Sequence, residues 1–129
     1  MALAEGLATY IELFRAAPPL ADLAAARLAG DLGAGRFAAG EQFADITRCD
    51  TWIVAEGREI AVRLYTPEVR TTRGAICHFH GGGFSHGSVA TFDLVGAALA
   101  QASGTLVASV EYRRLPDSGQ ARHLWEWGW

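Results

Sequence analysis

The sequence predicts an α/β fold, and three observations carry that expectation. Apolar residues recur at helical spacing over residues 3–32, alternate with period two from about Asp45 to Pro67, and then flank a strand, glycine run, helix and strand between Ala75 and Val110. The last arrangement is a βαβ unit, whose crossover requires a parallel strand pair with a helix packed on the sheet.

The first helical stretch carries Leu3, Leu7, Tyr10, Ile11 and Phe14 on one side and is stopped by Pro18-Pro19. Pro19 suits the first turn of a second helix, which places Leu20, Leu23, Leu28 and Leu32 on one side and is expected to run out at Gly33 and Gly35. Residues 33–40, rich in Gly and Ala, read as a linker. Ile46 to Val54 is rich in β formers, and beyond a turn at Glu56-Gly57 the residues Ile60, Val62 and Leu64 alternate with Ala61, Arg63 and Tyr65. An antiparallel hairpin ending at Pro67 follows. After a polar loop containing Thr71, Thr72 and Arg73, Ala75 to Phe79 form a short apolar strand. A helix is expected from near Ser88, with Leu94, Val95, Ala98, Leu99 and Ala102 facing inward and Gly104 as its cap. Thr105 to Val110 is the next buried strand. The organisation is therefore a helical segment over residues 1–44, an α/β segment over 45–113, and a tail over 114–129 that holds three of the four tryptophans and follows no period.

Half of the 129 residues are apolar and 19% are charged, which fits one globular unit with a modest core. With 14 acidic and 11 basic residues, a net charge of −3 and no basic cluster, the chain lacks the field that nucleic acid or an anionic membrane requires. No window approaches the roughly 18 apolar residues of a membrane span. Glu5, Glu12 and Arg15 interrupt the N-terminus in a way no signal peptide tolerates, so a cytoplasmic location is expected. Cys49 and Cys77 lie far apart without metal-ligand spacing and read as buried free thiols.

The chemistry concentrates in the glycine run. Three consecutive glycines directly after a strand remove every side chain where a backbone approaches something closely and aims its N–H groups outward. A flexible tight turn is one reading. A second is a dinucleotide site, with Gly81, Gly83 and Gly87 between strand and helix and Glu111 closing the next strand for a ribose, although the last gap is one residue too long for G-x-G-x-x-G. A metal held by His78, His80 and His86 is a third, and leaves the glycines unexplained. Gly83-Phe84-Ser85-His86-Gly87 also satisfies G-x-S-x-G, with Asp117 and His123 following in the order of a serine-acid-histidine triad. Against that triad, Ser85 stands six residues beyond Phe79, whereas an elbow serine sits at the turn between a strand and its helix.

The fourth reading is an oxyanion hole, in which backbone N–H groups hold the negative oxygen of a tetrahedral intermediate. His80-Gly81-Gly82-Gly83-Phe84, followed by Gly87, Ser88 and Asp93, resembles the hormone-sensitive-lipase-like carboxylesterases of the α/β-hydrolase superfamily. Arg63-Leu64-Tyr65 and Pro67 before it, and Val110-Glu111-Tyr112-Arg113 after it, are similar to that family too, so the likeness covers about residues 45–113. The resemblance implies that the chain is the N-terminal part of an α/β-hydrolase fold, with the N-terminal helices contributing to a cap. It also implies that Gly82 and Gly83 donate the oxyanion N–H groups, that His80 braces the loop, that small-molecule esters are the substrates, and that no metal or organic cofactor takes part. After Arg113 the family continues Leu-Ala-Pro-Glu, whereas this chain gives Arg114-Leu115-Pro116-Asp117, and the Gly-Asp-Ser-Ala-Gly elbow, the acid and the base histidine do not appear. A truncation or a change of reading frame near Arg113 accounts for both facts. In that family's strand order Ala75 to Phe79 pairs with the elbow strand, so an open apolar edge and self-association of this chain are expected.

Overall fold

The computed structural model describes residues 22–37 and 43–115. Helix α1 spans Leu23–Phe37, strand β1 Ile46–Ala55, β2 Arg58–Pro67, β3 Ala75–Phe79, helix α2 Asp93–Ser103 and β4 Leu106–Glu111. The strands form one sheet in the order β1-β2-β4-β3. β1 and β2 pair antiparallel from Ile46↔Pro67 to Ala55↔Arg58, and Glu56 and Gly57 between them take φ values of 52° and 72°. Two successive positive φ values are the mark of a two-residue type I′ turn, whose twist matches the strands it joins. β4 lies antiparallel to β2 and parallel to β3, so the crossover expected from the βαβ pattern is present.

The core is small and sits where α2 crosses the sheet. Ile46, Tyr65, Ala97, Ala100 and Val107 are buried together, with Phe43 and Ile76 packed against them. The fully buried Tyr65 ring sets how the helix approaches, because a Cβ at Gly96 would come within 2.5 Å of it. Only small residues fit that face. Gly96, Ala97 and Ala100 are therefore the buried positions of α2, whereas Val95 and Leu99 are 43% and 36% exposed and Ala102 is exposed. The expected inward face was thus rotated, since apolar residues surround this helix and shape, not hydropathy, selects the side. The helix also begins later than expected, at Asp93, with residues 89–92 in turns, and ends as expected on Gly104 at φ 60°, whose N–H bonds Ala100 O at 3.0 Å.

Asp93, at the positive end of α2, gathers two arginines and a tyrosine. Arg48 Nε and Arg63 Nη1 each lie 3.0 Å from its carboxylate, and the Tyr65 hydroxyl donates to it at 3.0 Å. Arg63 also grips Asp50 with two nitrogens at 2.6 and 2.8 Å, which holds the Asp50 carboxyl below the usual carboxylate range. Burial, followed by the Asp93 charge, pushes the Tyr65 hydroxyl well above its ordinary value.

Two further expectations need correction. α1 continues through Gly33 and Gly35 to Phe37, which shortens the linker, and Leu28 and Leu32 on its apolar side are 60% and 61% exposed. Glycine lowers helix propensity by only about 1 kcal/mol, and α1 is held at Arg27 and Asp31 by bonds to a distant loop. Cys49 and Cys77 are free but exposed. They stand at opposite rims of one register row, Cys49-Leu64-Ala108-Cys77, on the sheet face opposite α2. The first expected helix and the tryptophan-rich tail lie outside the described residues.

Candidate functional site

The glycine loop leaves the C-terminal end of β3 at His80 and is shaped from beneath by an aromatic stack. The His80 ring, 4% exposed, lies 4.2 Å from the Tyr112 ring and 5.7 Å from the Phe92 ring, near-parallel to both. Its Nδ1 is 2.9 Å from Gly81 O, which makes Nδ1 the protonated nitrogen of this bond, and the Tyr112 hydroxyl donates to His80 O at 2.6 Å. Nε2 is buried without a hydrogen-bond partner among the described residues, and Glu111 Oε1 stands 4.0 Å away, too far for a hydrogen bond. Glu111 Oε2 accepts the Val89 N–H at 2.7 Å, so this carboxylate closes the far end of the loop and is not offered to a ribose.

Above this base, the loop backbone is polarised. Gly82 O accepts Ser85 N–H at 3.2 Å and His86 N–H at 2.9 Å, and Phe84 O accepts Leu115 N–H at 2.8 Å. Ser85 O is taken by Arg27 Nε at 2.8 Å, and Gly87 O by Arg114 Nη1. With His80 O and Gly81 O bonded as described, six of the eight carbonyls from His80 to Gly87 are tied back into the protein, all but those of Gly83 and His86. Among the described residues, the N–H groups of Gly82 and Gly83 donate to nothing, and residues 81–84 are exposed. The loop therefore leaves these two donors unpaired while most of its acceptors are engaged.

The glycines are required for this shape to different degrees. Gly82 has φ 129°, and a Cβ there would fall onto the His86 carbonyl. Gly83 has φ 58°, a left-handed value, with open space where a Cβ would stand. Phe84 shares that conformation at φ 60° despite its side chain, and the Leu115 bond to its carbonyl holds it there.

The other sequence candidates are separated by the fold. Ser85 lies in a turn far from both ends of an elbow, since β3 stops at Phe79 and α2 starts at Asp93. Its Oγ is 2.7 Å from Nδ1 of the neighbouring, exposed His86, and Asp117 and His123 lie outside the described residues. His78 pairs with Ser109 Oγ at 2.8 Å, His80 is in its stack, and His86 turns to Ser85, so the three histidines point to three different partners. No group of three or more His, Cys, Asp or Glu among the described residues is placed to hold a metal. Sequence reading missed the contributions of Phe92, Arg27 and Asp31. The available signal was an Arg and an Asp four residues apart in a helix otherwise made of Ala, Leu and Gly over residues 23–35.

A profile of the α/β hydrolase fold matches residues 76–119, from within β3 past the end of β4. An arylesterase of Saccharolobus solfataricus is 38% identical over 68 residues, which are 53% of this chain and 22% of that protein. The carboxylesterase NlhH of Mycobacterium tuberculosis is 40% identical over 60 residues, 46% of this chain and 19% of that one. The hyperthermophilic esterase from the archaeon Pyrobaculum calidifontis superposes with a TM-score of 0.73 at 30% identity, over 90% of this chain and 38% of its own. This chain thus spans about a fifth of the length of the curated relatives it matches. Sequence likeness across the glycine loop and a superposable sheet together make the chain similar to esterases of the α/β hydrolase fold.

Proposed function

We propose that the chain supplies the oxyanion-hole loop of a serine carboxylic-ester hydrolase, with Gly82 and Gly83 as N–H donors and His80 as the brace beneath them. One observation carries this reading: most of the loop's carbonyls are bonded within the protein, while the N–H groups of the exposed Gly82 and Gly83 donate to nothing among the described residues. When a serine hydroxyl attacks an ester carbonyl, the C=O electrons move onto oxygen. Donors already aimed at that oxygen stabilise the tetrahedral state without reorganising, and each is worth roughly 10²- to 10³-fold in turnover. Collapse releases the alcohol, and water then cleaves the acyl-serine. This chemistry calls for a small-molecule ester and for no metal or organic cofactor, nucleic acid or membrane.

Alone, the chain is expected to hydrolyse short p-nitrophenyl esters no faster than a control protein, because its one G-x-S-x-G serine is not at a strand-to-helix turn. Residues 1–44 are proposed as part of a cap and the cytoplasm as its location. No helix among the described residues is long and apolar enough to cross a membrane. Self-association is expected through β3, which among the described residues pairs on one side only and exposes Phe79 by 60%. Light scattering tests this, and a monodisperse monomer would argue against it.

The decisive test is a chimera in which residues 76–113 replace the matching segment of the Saccharolobus solfataricus arylesterase. An active chimera that loses roughly 10²-fold or more in kcat on Gly82→Ala or Gly83→Val supports the assignment. Full activity in both variants would remove these N–H groups from the reaction.

A further inference from the structure

We propose that Arg27 and Asp31 of α1 are positioning residues that clamp the glycine loop from above, a proposal that rests on the oxyanion reading for its functional meaning only. The two side chains stand four residues apart, one helical turn, and so share a face. Arg27 spans two separate strands of backbone. Its Nε donates to Ser85 O at 2.8 Å and its Nη2 to Leu115 O at 2.7 Å, while Leu115 N–H bonds Phe84 O between them at 2.8 Å. One planar guanidinium therefore fixes the distance between the loop and the chain leaving β4, a task its rigid fork performs and a lysine cannot. Asp31 grips the other end of the loop: its Oδ1 accepts from Ser88 Oγ at 2.8 Å and from Thr91 Oγ1. Ser88 Oγ in turn accepts the Thr91 N–H at 3.0 Å.

The consequence is geometric. Gly82 and Gly83 sit within a loop whose near-side exit, Phe84 and Ser85, is held by Arg27 and whose far side, Ser88 to Thr91, is held by Asp31. The loop has no repeating backbone ladder of its own. With both anchors in place, the direction of the free N–H groups is set by a helix more than fifty residues earlier in the chain. Neither side chain touches the exposed donors. Arg27 acts through backbone carbonyls and Asp31 through the hydroxyls of Ser88 and Thr91.

Hydrogen–deuterium exchange of the whole 129-residue chain tests the clamp without reference to ester chemistry, so failure of the esterase assignment leaves this result readable. In Arg27→Met, peptides covering residues 80–92 should exchange roughly tenfold faster or more, the expected effect of losing a hydrogen bond to a charged group, while the hairpin peptides 46–67 keep the parent rate. Arg27→Lys keeps the charge, reaches one carbonyl, and should recover part of that protection. Asp31→Ala, at an exposed position that the fold tolerates, should loosen residues 88–91 most. Unchanged loop exchange in both Arg27→Met and Asp31→Ala overturns the proposal. Equal acceleration of loop and hairpin overturns it too, since the residues would then support the whole fold and not the loop.

Discussion

The hairpin turn at Glu56-Gly57 and the glycine loop at residues 81–87 use the same backbone device, yet they are held by opposite means. Each relies on positive φ at successive positions, Glu56 and Gly57 in one, Gly82, Gly83 and Phe84 in the other. The hairpin turn is determined by the two strands it joins, and a Cβ at Gly57 would meet nothing within 4 Å. The glycine loop is determined from afar, by Arg27, Arg114, Leu115, Tyr112 and Glu111. A local turn is thus tolerant because its information is in the adjacent sequence. The glycine loop is intolerant at Gly82, where a Cβ would meet the His86 carbonyl, because its shape is the sum of long-range bonds.

Glycine substitution gives the largest separation between the two. Gly82→Ala should destabilise the chain by about 3 kcal/mol or force the loop into another shape, whereas Gly57→Ala should cost about 1 kcal/mol, the ordinary penalty for a left-handed non-glycine residue. Urea melts of both variants measure the gap, and equal midpoints would erase the contrast. Next in size is Tyr112→Phe, which removes the hydroxyl donated to His80 O and leaves that carbonyl short of a partner beneath the loop. A loss of about 1 kcal/mol is expected, with faster exchange in the loop and none in the hairpin.

A smaller effect comes from pH. Burial, with a lesser contribution from His80, depresses the His78 pKa below its ordinary 6.5, so the folded chain prefers neutral His78 more than the unfolded chain does. Its contribution is present above about pH 6.5 and fades as pH falls, and His78→Gln should flatten the slope of stability between about pH 6.5 and 5. The slope is shallow because the ring is only partly buried, and a steeper loss in the variant would contradict it. The smallest expected change is none: Ser85→Ala in the active chimera should leave turnover intact. A phosphonate inhibitor mapped to Ser85 by mass spectrometry would instead identify it as a nucleophile.

What the sequence made legible divides along the same line. The hairpin, β3 and the Gly104 cap follow from neighbours in the chain, through alternation, turn residues and a left-handed glycine, and each appears where the pattern puts it. Gly81 to Gly83 were recognisable because a run of three glycines has few other uses. The buried face of α2 was not legible, because Tyr65, from another strand, selects Gly96, Ala97 and Ala100 over the larger Val95 and Leu99. Nor was the exposure of the two cysteines, which depends on what covers one face of the sheet. Arg27 and Asp31 carry a faint spacing signal, but their partners are carbonyl and hydroxyl groups some sixty residues away, and no local pattern announces them.

The sheet order β1-β2-β4-β3 also fixes a timetable for synthesis. The hairpin can close as soon as Pro67 leaves the ribosome, but β3 emerges next and finds its only described neighbour, β4, still unmade. Until β4 slots in beside β2, the segment Ala75 to Phe79 is a nascent strand without a seat. The bonds that finish the glycine loop come later still, since Tyr112, Arg114 and Leu115 follow β4. The part proposed to do chemistry is therefore shaped only after the residues that follow β4 have been made, and between the synthesis of residues 80 and 115 it lacks the bonds that set its form.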